Sequence, residues 1–127
     1  MENTQKKEII EQYISAYNSF DVLAMVKDLD DDIVFENISN DVVGLRTEGI
    51  DAFRQQAEAA KQYFTQRTQR IESWQFKDSV VTINIDYHAI LFIDLPNGLK
   101  KGDPLEMKGH SEIEFRNEKI VKIVDRI

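Results

Sequence analysis

The stretch VVTINIDYHAILFID, residues 80–94, decides the fold of this chain of 127 residues. Apolar and polar residues alternate along it with a period of two, which is typical of a strand with one face on a core and one in water. The predicted inner face carries Val81, Ile83, Ile85, Tyr87, Ala89 and Leu91. The predicted outer face carries Thr82, Asn84, Asp86 and His88.

Further strands are predicted on both sides of this stretch. They are RIESWQF, LEMKGHSEIEF and KIVKIVDRI, at residues 70–76, 105–115 and 119–127, with the loop LPNGLKKGDP at 95–104. In the second of them Met107 and Ser111 fall on the inner face and His110 on the outer one. Because antiparallel partners share a face, Tyr87 and Ser111 are expected as neighbours inside the fold, and His88 and His110 as neighbours outside it.

The N-terminal half has the three- and four-residue spacing of amphipathic helices. The predicted elements are a long helix with Ile10, Tyr13, Ile14 and Tyr17 on one face, a short helix from Val22 to Leu29, a strand in DIVFENISND (32–41), a loop at Gly44, and a third helix after Gly49 with Phe53 and Ala57. Helices followed by a meander of strands indicate an α+β fold, in which a curved antiparallel sheet packs against three helices. We expect one domain over residues 1–127.

Composition and charge exclude several classes of partner. The net charge of −7 argues against binding to nucleic acid or to an anionic membrane. The basic pair Arg67 and Arg70 in RTQR is too short to change this, and we interpret it as a solvated start of a strand. The longest apolar run, Ala89 to Ile93, is too short to span a bilayer. The chain has no cysteine and its start, MENTQKK, has no apolar signal region, so we expect a cytoplasmic location.

Four polar residues of the outer sheet face could lie together as metal ligands: Asp86, His88, His110 and Glu112. Their spacing matches no standard ligand motif, and ordinary polar surface residues explain them as well. We therefore expect no metal and no cofactor. The same face carries Ile90 and Phe92, which favours its use as the contact surface of a homodimer.

The order of the elements resembles the nuclear transport factor 2-like superfamily, which includes ketosteroid isomerases and SnoaL-like polyketide cyclases. The resemblance covers nearly the whole chain and is carried by QYISAYNSFDVLAMVKDLDDDIVFEN (12–37), GIDAFRQQAEAAKQYF (49–64) and FRNEKIVKIVD (115–125). It implies a cone, in which the curved sheet wraps the helices and leaves an apolar pocket at the open end. The fold hosts isomerases, cyclases, dehydratases, epoxide hydrolases and non-enzymes, so it does not fix the reaction.

The resemblance also implies roles for single residues. Tyr13 matches the tyrosine that donates to the oxyanion in ketosteroid isomerases. Asn37 stands where those enzymes have their general-base aspartate, and an amide cannot take up a proton. Ser111 stands where they keep a protonated aspartate. Asp125 matches the acid–base aspartate in the KIVEHWD-like ending of SnoaL-like cyclases.

Two functions are compatible with this set of residues, and a third, a dimerising module with a filled pocket, remains open. The first is a binding domain for a small apolar or carbonyl-containing molecule, without the isomerase's base. The second is an isomerase, cyclase or dehydratase in which Asp125 is the acid or base and Tyr13 and Asn37 donate hydrogen bonds. The position of Trp74 on the inner face of its strand requires a bulge, because Ile71 and Trp74 have opposite parity. The predicted ligand-binding residues are Tyr17, Phe35, Asn37, Phe53, Trp74, Tyr87, Met107 and Ser111.

Overall fold

The computed structural model describes all residues from 1 to 127 and confirms the predicted α+β class. Three helices precede or interrupt six strands that form one sheet. No helix has the combination of length and hydrophobicity that crossing a membrane requires. The elements are α1 (Asn3–Asn18), α2 (Val22–Met25), β1 (Leu29–Ser39), β2 (Val42–Glu48), α3 (Ile50–Ala60), a single 3₁₀ turn (Lys61–Tyr63), β3 (Phe64–Lys77), β4 (Val80–Leu91), β5 (Pro104–Arg116) and β6 (Lys119–Arg126).

The strands follow the order β2-β1-β6-β5-β4-β3 across the sheet. All neighbouring pairs are antiparallel except β1 and β6, which are parallel. The last strand of the chain therefore lies between β1 and β5. This position brings residues from near both ends of the sequence to the middle of one sheet.

The region from α2 to β2 differs from the prediction. Leu29 does not end the short helix, which stops at Met25, but begins β1 and pairs with Ile120 of β6. The loop expected at Gly44 is also wrong, because this glycine lies within β2. Asn40 and Asp41, with φ of 52° and 62°, form a two-residue turn of the kind that joins hairpin strands.

The predicted faces of β4 and β5 are confirmed, but the predicted register is wrong. Val81, Ile83 and Ile85 are buried under the helices. Tyr87 pairs with Met107, whereas Ser111 pairs with Ile83. Alternation determines which face a side chain occupies, but the connecting loop determines which residues lie opposite each other.

The same shift in register separates the two histidines on the outer face. His88 lies opposite Glu106, and His110 lies opposite Asn84. The expected contact between the histidines is therefore absent. No group of three or more histidine, aspartate or glutamate side chains is arranged to hold a metal ion.

The core lies between the helices and the inner face of the sheet. On α1 the buried apolar residues recur at helical spacing, as predicted, and α3 contributes Phe53 and Ala57. Ile10 and Ile33 are fully buried, and truncating such a residue to alanine typically costs about 2–5 kcal/mol of folding free energy. This packed core holds the walls of the cavity described next in fixed positions.

Candidate functional site

A cavity of about 400 Å³ opens between α1, α3 and the inner face of the sheet. Fifteen of its 26 lining residues are hydrophobic, which suits a small and largely apolar molecule. The cavity brings together nine of the ten predicted site residues. They are Tyr13, Tyr17, Phe35, Asn37, Phe53, Tyr87, Met107, Ser111 and Asp125.

Trp74 is the exception, and its prediction as a wall of the cavity is wrong. A bulge between Ile71 and Ser73 does keep Trp74 on the inner side of β3, where it packs against the core. The cavity, however, reaches β3 only over its first residues. Farther along, Trp74 stacks on Phe76 with the ring centroids 5.9 Å apart, and the Lys7 ammonium lies 5.5 Å from its ring centroid.

Three polar residues form one row across neighbouring strands at the sheet side of the cavity. Asn37 on β1 pairs with Asp125 on β6, and Asp125 pairs with Ser111 on β5. Paired strands lie about 4.8 Å apart, so these side chains are adjacent although they are far apart in the sequence. The Ser111 hydroxyl donates to Asp125 Oδ1 over 2.6 Å.

The environment of Asp125 makes its carboxyl group a weaker acid than an ordinary aspartate. Burial among protein atoms raises its pKa from 3.8 to about 6, while the hydrogen bond from Ser111 lowers it and offsets part of this effect. Asp125 as a whole is half-buried, and it lines the cavity. A group with this pKa can both accept and return a proton near neutral pH.

Three phenols of the cavity wall remain protonated at neutral pH. Burial, followed by the negative charge of Asp125, raises the pKa of Tyr13 well above its ordinary value. Burial also raises the pKa values of Tyr17 and Tyr87, whose hydroxyl oxygens are 2.9 Å apart. Each phenol can therefore donate a hydrogen bond to a ligand or to its neighbour.

Arg67 lines the same cavity, and its interpretation as a solvated residue is wrong. Only 3% of its surface is exposed. Its Nε donates to the carbonyl oxygen of Tyr17 over 2.9 Å, and the guanidinium carbon lies 3.7 Å from the centroid of the Tyr17 ring. The parity of Arg67, Gln69 and Ile71 could have revealed this, because an apolar Ile71 marks their shared face as the inner one.

The sequence and fold are similar to those of known proteins. The family model described as SnoaL-like domain matches residues 10–123. No curated protein matches the sequence.

Several solved structures have the same fold at low sequence identity. A proposed polyketide cyclase from Xanthomonas campestris pv. campestris is 18% identical, with a TM-score of 0.82 over 98% of this chain and 90% of that one. AclR, a proposed hydroxylase from Streptomyces galilaeus, is 18% identical, with a TM-score of 0.77 over 98% and 89%. A Catenulispora acidiphila protein with a ketosteroid isomerase-like fold, in complex with trimethylamine, is 15% identical, with a TM-score of 0.75 over 93% and 83%. At these identities the likeness shows the fold alone.

Proposed function

This chain belongs to the SnoaL-like domain family, and from that premise we propose that it moves a proton on a small carbonyl compound through Asp125. The supporting observation is a carboxyl group with a pKa of about 6 in the wall of a largely apolar cavity of about 400 Å³. Perturbed acids in such cavities are typical of catalytic sites. The match to the SnoaL-like domain family agrees with the resemblance to the nuclear transport factor 2-like superfamily that the sequence indicates.

The proposed reaction begins with a ligand whose carbonyl oxygen accepts a hydrogen bond from Tyr13 or Asn37. Ionised Asp125 takes a proton from the carbon next to the carbonyl group, and the electron pair of that C–H bond moves toward the carbonyl oxygen. The resulting enolate is stabilised by the same donors in a largely apolar cavity. Protonated Asp125 then returns the proton to the enolate, at the same carbon or at another one.

The name of one structural relative favours chemistry of this kind. The Xanthomonas protein is a proposed polyketide cyclase. Cyclisation of a polyketide requires that an enolate attack a second carbonyl group of the same molecule. An acid–base residue with donors for an enolate oxygen supplies the first step of that reaction.

Binding without turnover is the second candidate. It is favoured by Asn37, an amide at the position where the isomerases have their base, so that only one proton acceptor remains in the polar row. In this case Asn37 and Ser111 orient a carbonyl or hydroxyl group, and the aromatic walls supply the binding energy. The two candidates share the cavity and differ only in whether Asp125 exchanges a proton with the ligand.

The test is exchange of α-protons for deuterium in 2-tetralone, followed by NMR in D₂O. We expect the protein to accelerate exchange above the buffer rate. In the Asp125→Asn variant this acceleration should be at least about 100-fold smaller, which is the usual contribution of a general base. Asp86→Asn, on the outer sheet face, is the matched control and should exchange like the original protein.

The result separates the two candidates. Thermal stabilisation by 2-tetralone without any exchange would assign the chain to binding alone. Exchange that persists in Asp125→Asn would contradict the role of this carboxyl group. Homodimer formation through the outer sheet face, the cytoplasmic location and a single domain over residues 1–127 remain predictions from the sequence.

A further inference from the structure

Arg67 is a buried cation that the protein leaves without an acidic partner. It takes part in none of the salt bridges of the structure. Its Nη2 atom is fully buried and has no hydrogen-bond acceptor. A buried charge without a partner is strongly unfavourable, so a group of this kind calls for an explanation.

The surrounding protein satisfies only part of the guanidinium group. Nε donates to the carbonyl oxygen of Tyr17, in the last turn of α1, where the helix dipole is negative. The rings of Tyr17 and Phe20 lie 3.7 and 4.5 Å from the guanidinium carbon and stabilise its charge through their faces. These contacts hold the side chain at the cavity wall, but they offer no acceptor to Nη2, which has no surface open to the cavity, so a ligand reaches this atom only when the guanidinium group turns.

No charged group in the cavity fills this role. Asp125 forms no ion pair with Arg67, and the pKa of Asp125 is set by burial and by the hydrogen bond from Ser111. The other arginine of the cavity wall, Arg126, is already paired with Glu112. Arg67 is thus the one arginine of the cavity that is free to bind an anion from outside the protein.

We infer that Arg67 binds a carboxylate group of the ligand, so that the substrate class is an apolar acid that also has a carbonyl group. This inference depends on the proposed function, because it assigns one end of the same ligand to Arg67 and the other to the row of Asn37, Asp125 and Ser111. A planar carboxylate suits the guanidinium group, and a single negative charge matches the one free arginine. A dianion such as a phosphate would enter a protein of net charge −7 with only this arginine to neutralise it.

The test compares two probes of nearly equal shape, 2-naphthoate and 2-acetylnaphthalene, by isothermal titration calorimetry at pH 7.5. The first has a carboxylate where the second has a neutral methyl ketone. We expect the protein to bind 2-naphthoate at least about 10-fold more tightly, because a hydrogen bond to a charged group strengthens binding by roughly 10- to 100-fold.

The variant Arg67→Gln should remove this preference while changing the affinity for 2-acetylnaphthalene by less than about 3-fold. Arg67→Lys keeps the charge without the planar donor group, and it should retain part of the preference. Arg70→Gln is the matched control, because it removes one positive charge from the same strand at an exposed position. It should leave both affinities unchanged.

The outcomes separate this inference from the proposed function. Equal binding of the two probes to the original protein would overturn the role of Arg67 and leave ligand binding in the cavity intact. A preference that survives in Arg67→Gln would have the same meaning. If neither probe binds, the proposed ligand class and the inference both fail. The comparison of probes on the original protein needs no variant, so equal binding would overturn the inference even if Arg67→Gln does not fold, and Arg67→Lys would then test whether a preference depends on this residue.

Discussion

Replacement of Ser111 by alanine should raise the pKa of Asp125. The Ser111 hydroxyl donates to Asp125 Oδ1 over 2.6 Å and therefore stabilises the ionised carboxylate. Alanine removes the donor and leaves almost the same shape at a buried position. The ionised form then loses its hydrogen bond, whereas the desolvation that already raises the pKa is unchanged.

The size of the effect follows from the strength of the hydrogen bond. A hydrogen bond to a charged group contributes about 1.5–3 kcal/mol, and about 1.4 kcal/mol corresponds to a tenfold change in acidity. The pKa of Asp125, which is about 6 in the original protein, should therefore rise to about 7–8 in Ser111→Ala. At pH 7 the carboxyl group would change from mostly ionised to half or mostly protonated.

The change can be measured by titrating the side-chain carboxyl carbons with ¹³C NMR. Asp125→Asn identifies the resonance, because this variant lacks it. Ser73→Ala is the matched control: the Ser73 hydroxyl also takes part in a 2.6 Å hydrogen bond, but its partner is the amide of Asn84 on the outer part of the sheet. In this control the titration of Asp125 should not move.

A constant or lower pKa in Ser111→Ala would refute the reasoning. It would mean that the hydroxyl group does not donate to the ionised form, or that water from the cavity replaces it at once. The catalytic consequence provides a second check. If Asp125 is the base, the exchange of 2-tetralone protons in Ser111→Ala should shift its pH dependence to higher pH together with the carboxyl titration.

Two further predictions concern stability. Folding raises the pKa of Asp125, so the stability that this group contributes below about pH 4 is lost as the pH rises through about 6. Asp125→Asn should therefore be more stable than the original protein at pH 7, by at most about 3 kcal/mol, and equally stable below about pH 4. Urea unfolding at several pH values measures this difference in stability, and a difference that does not depend on pH would contradict the prediction. Gly109→Ala should destabilise the fold by about 1–3 kcal/mol, because a Cβ there would overlap the backbone carbonyl of Arg126, whereas Gly44→Ala meets no atom within 4 Å and should change little. Equal urea midpoints of the two variants would contradict this prediction.

The sequence predicts most of the site because its residues follow simple rules. Parity assigns Ser111 and Tyr87 to the inner face of their strands, and helical spacing assigns Tyr13 and Tyr17 to the inner face of α1. The resemblance to relatives adds Asn37 and Asp125, whose adjacency depends on the parallel pairing of β1 and β6. No local pattern predicts that pairing, since the two strands are separated by most of the chain.

The errors arise where a local pattern is overruled by its surroundings. RTQR reads as a solvated segment, yet Arg67 is held inside by the end of α1 and by two aromatic rings. Trp74 lies on the predicted face but too far along β3 to reach the cavity. The register of β4 and β5 depends on the loop between them, whose length predicts neither its internal hydrogen bonds nor the residue at which pairing begins.

The separation of Arg67 from Asp125 suits the proposed chemistry. A guanidinium group next to Asp125 would lower its pKa by one to three units, by the usual effect of an opposite charge, and leave it too weak a base at neutral pH. The carbonyl oxygen at the end of α1 and the ring of Tyr17 hold the guanidinium group of Arg67, a residue of β3, beside α1, whereas Asp125 lies on β6. The Tyr13 phenol experiences both charges, since Asp125 raises its pKa and Arg67 lowers it. One cavity can therefore offer a fixed positive charge to an acid group and a proton acceptor to a carbon acid at the same pH.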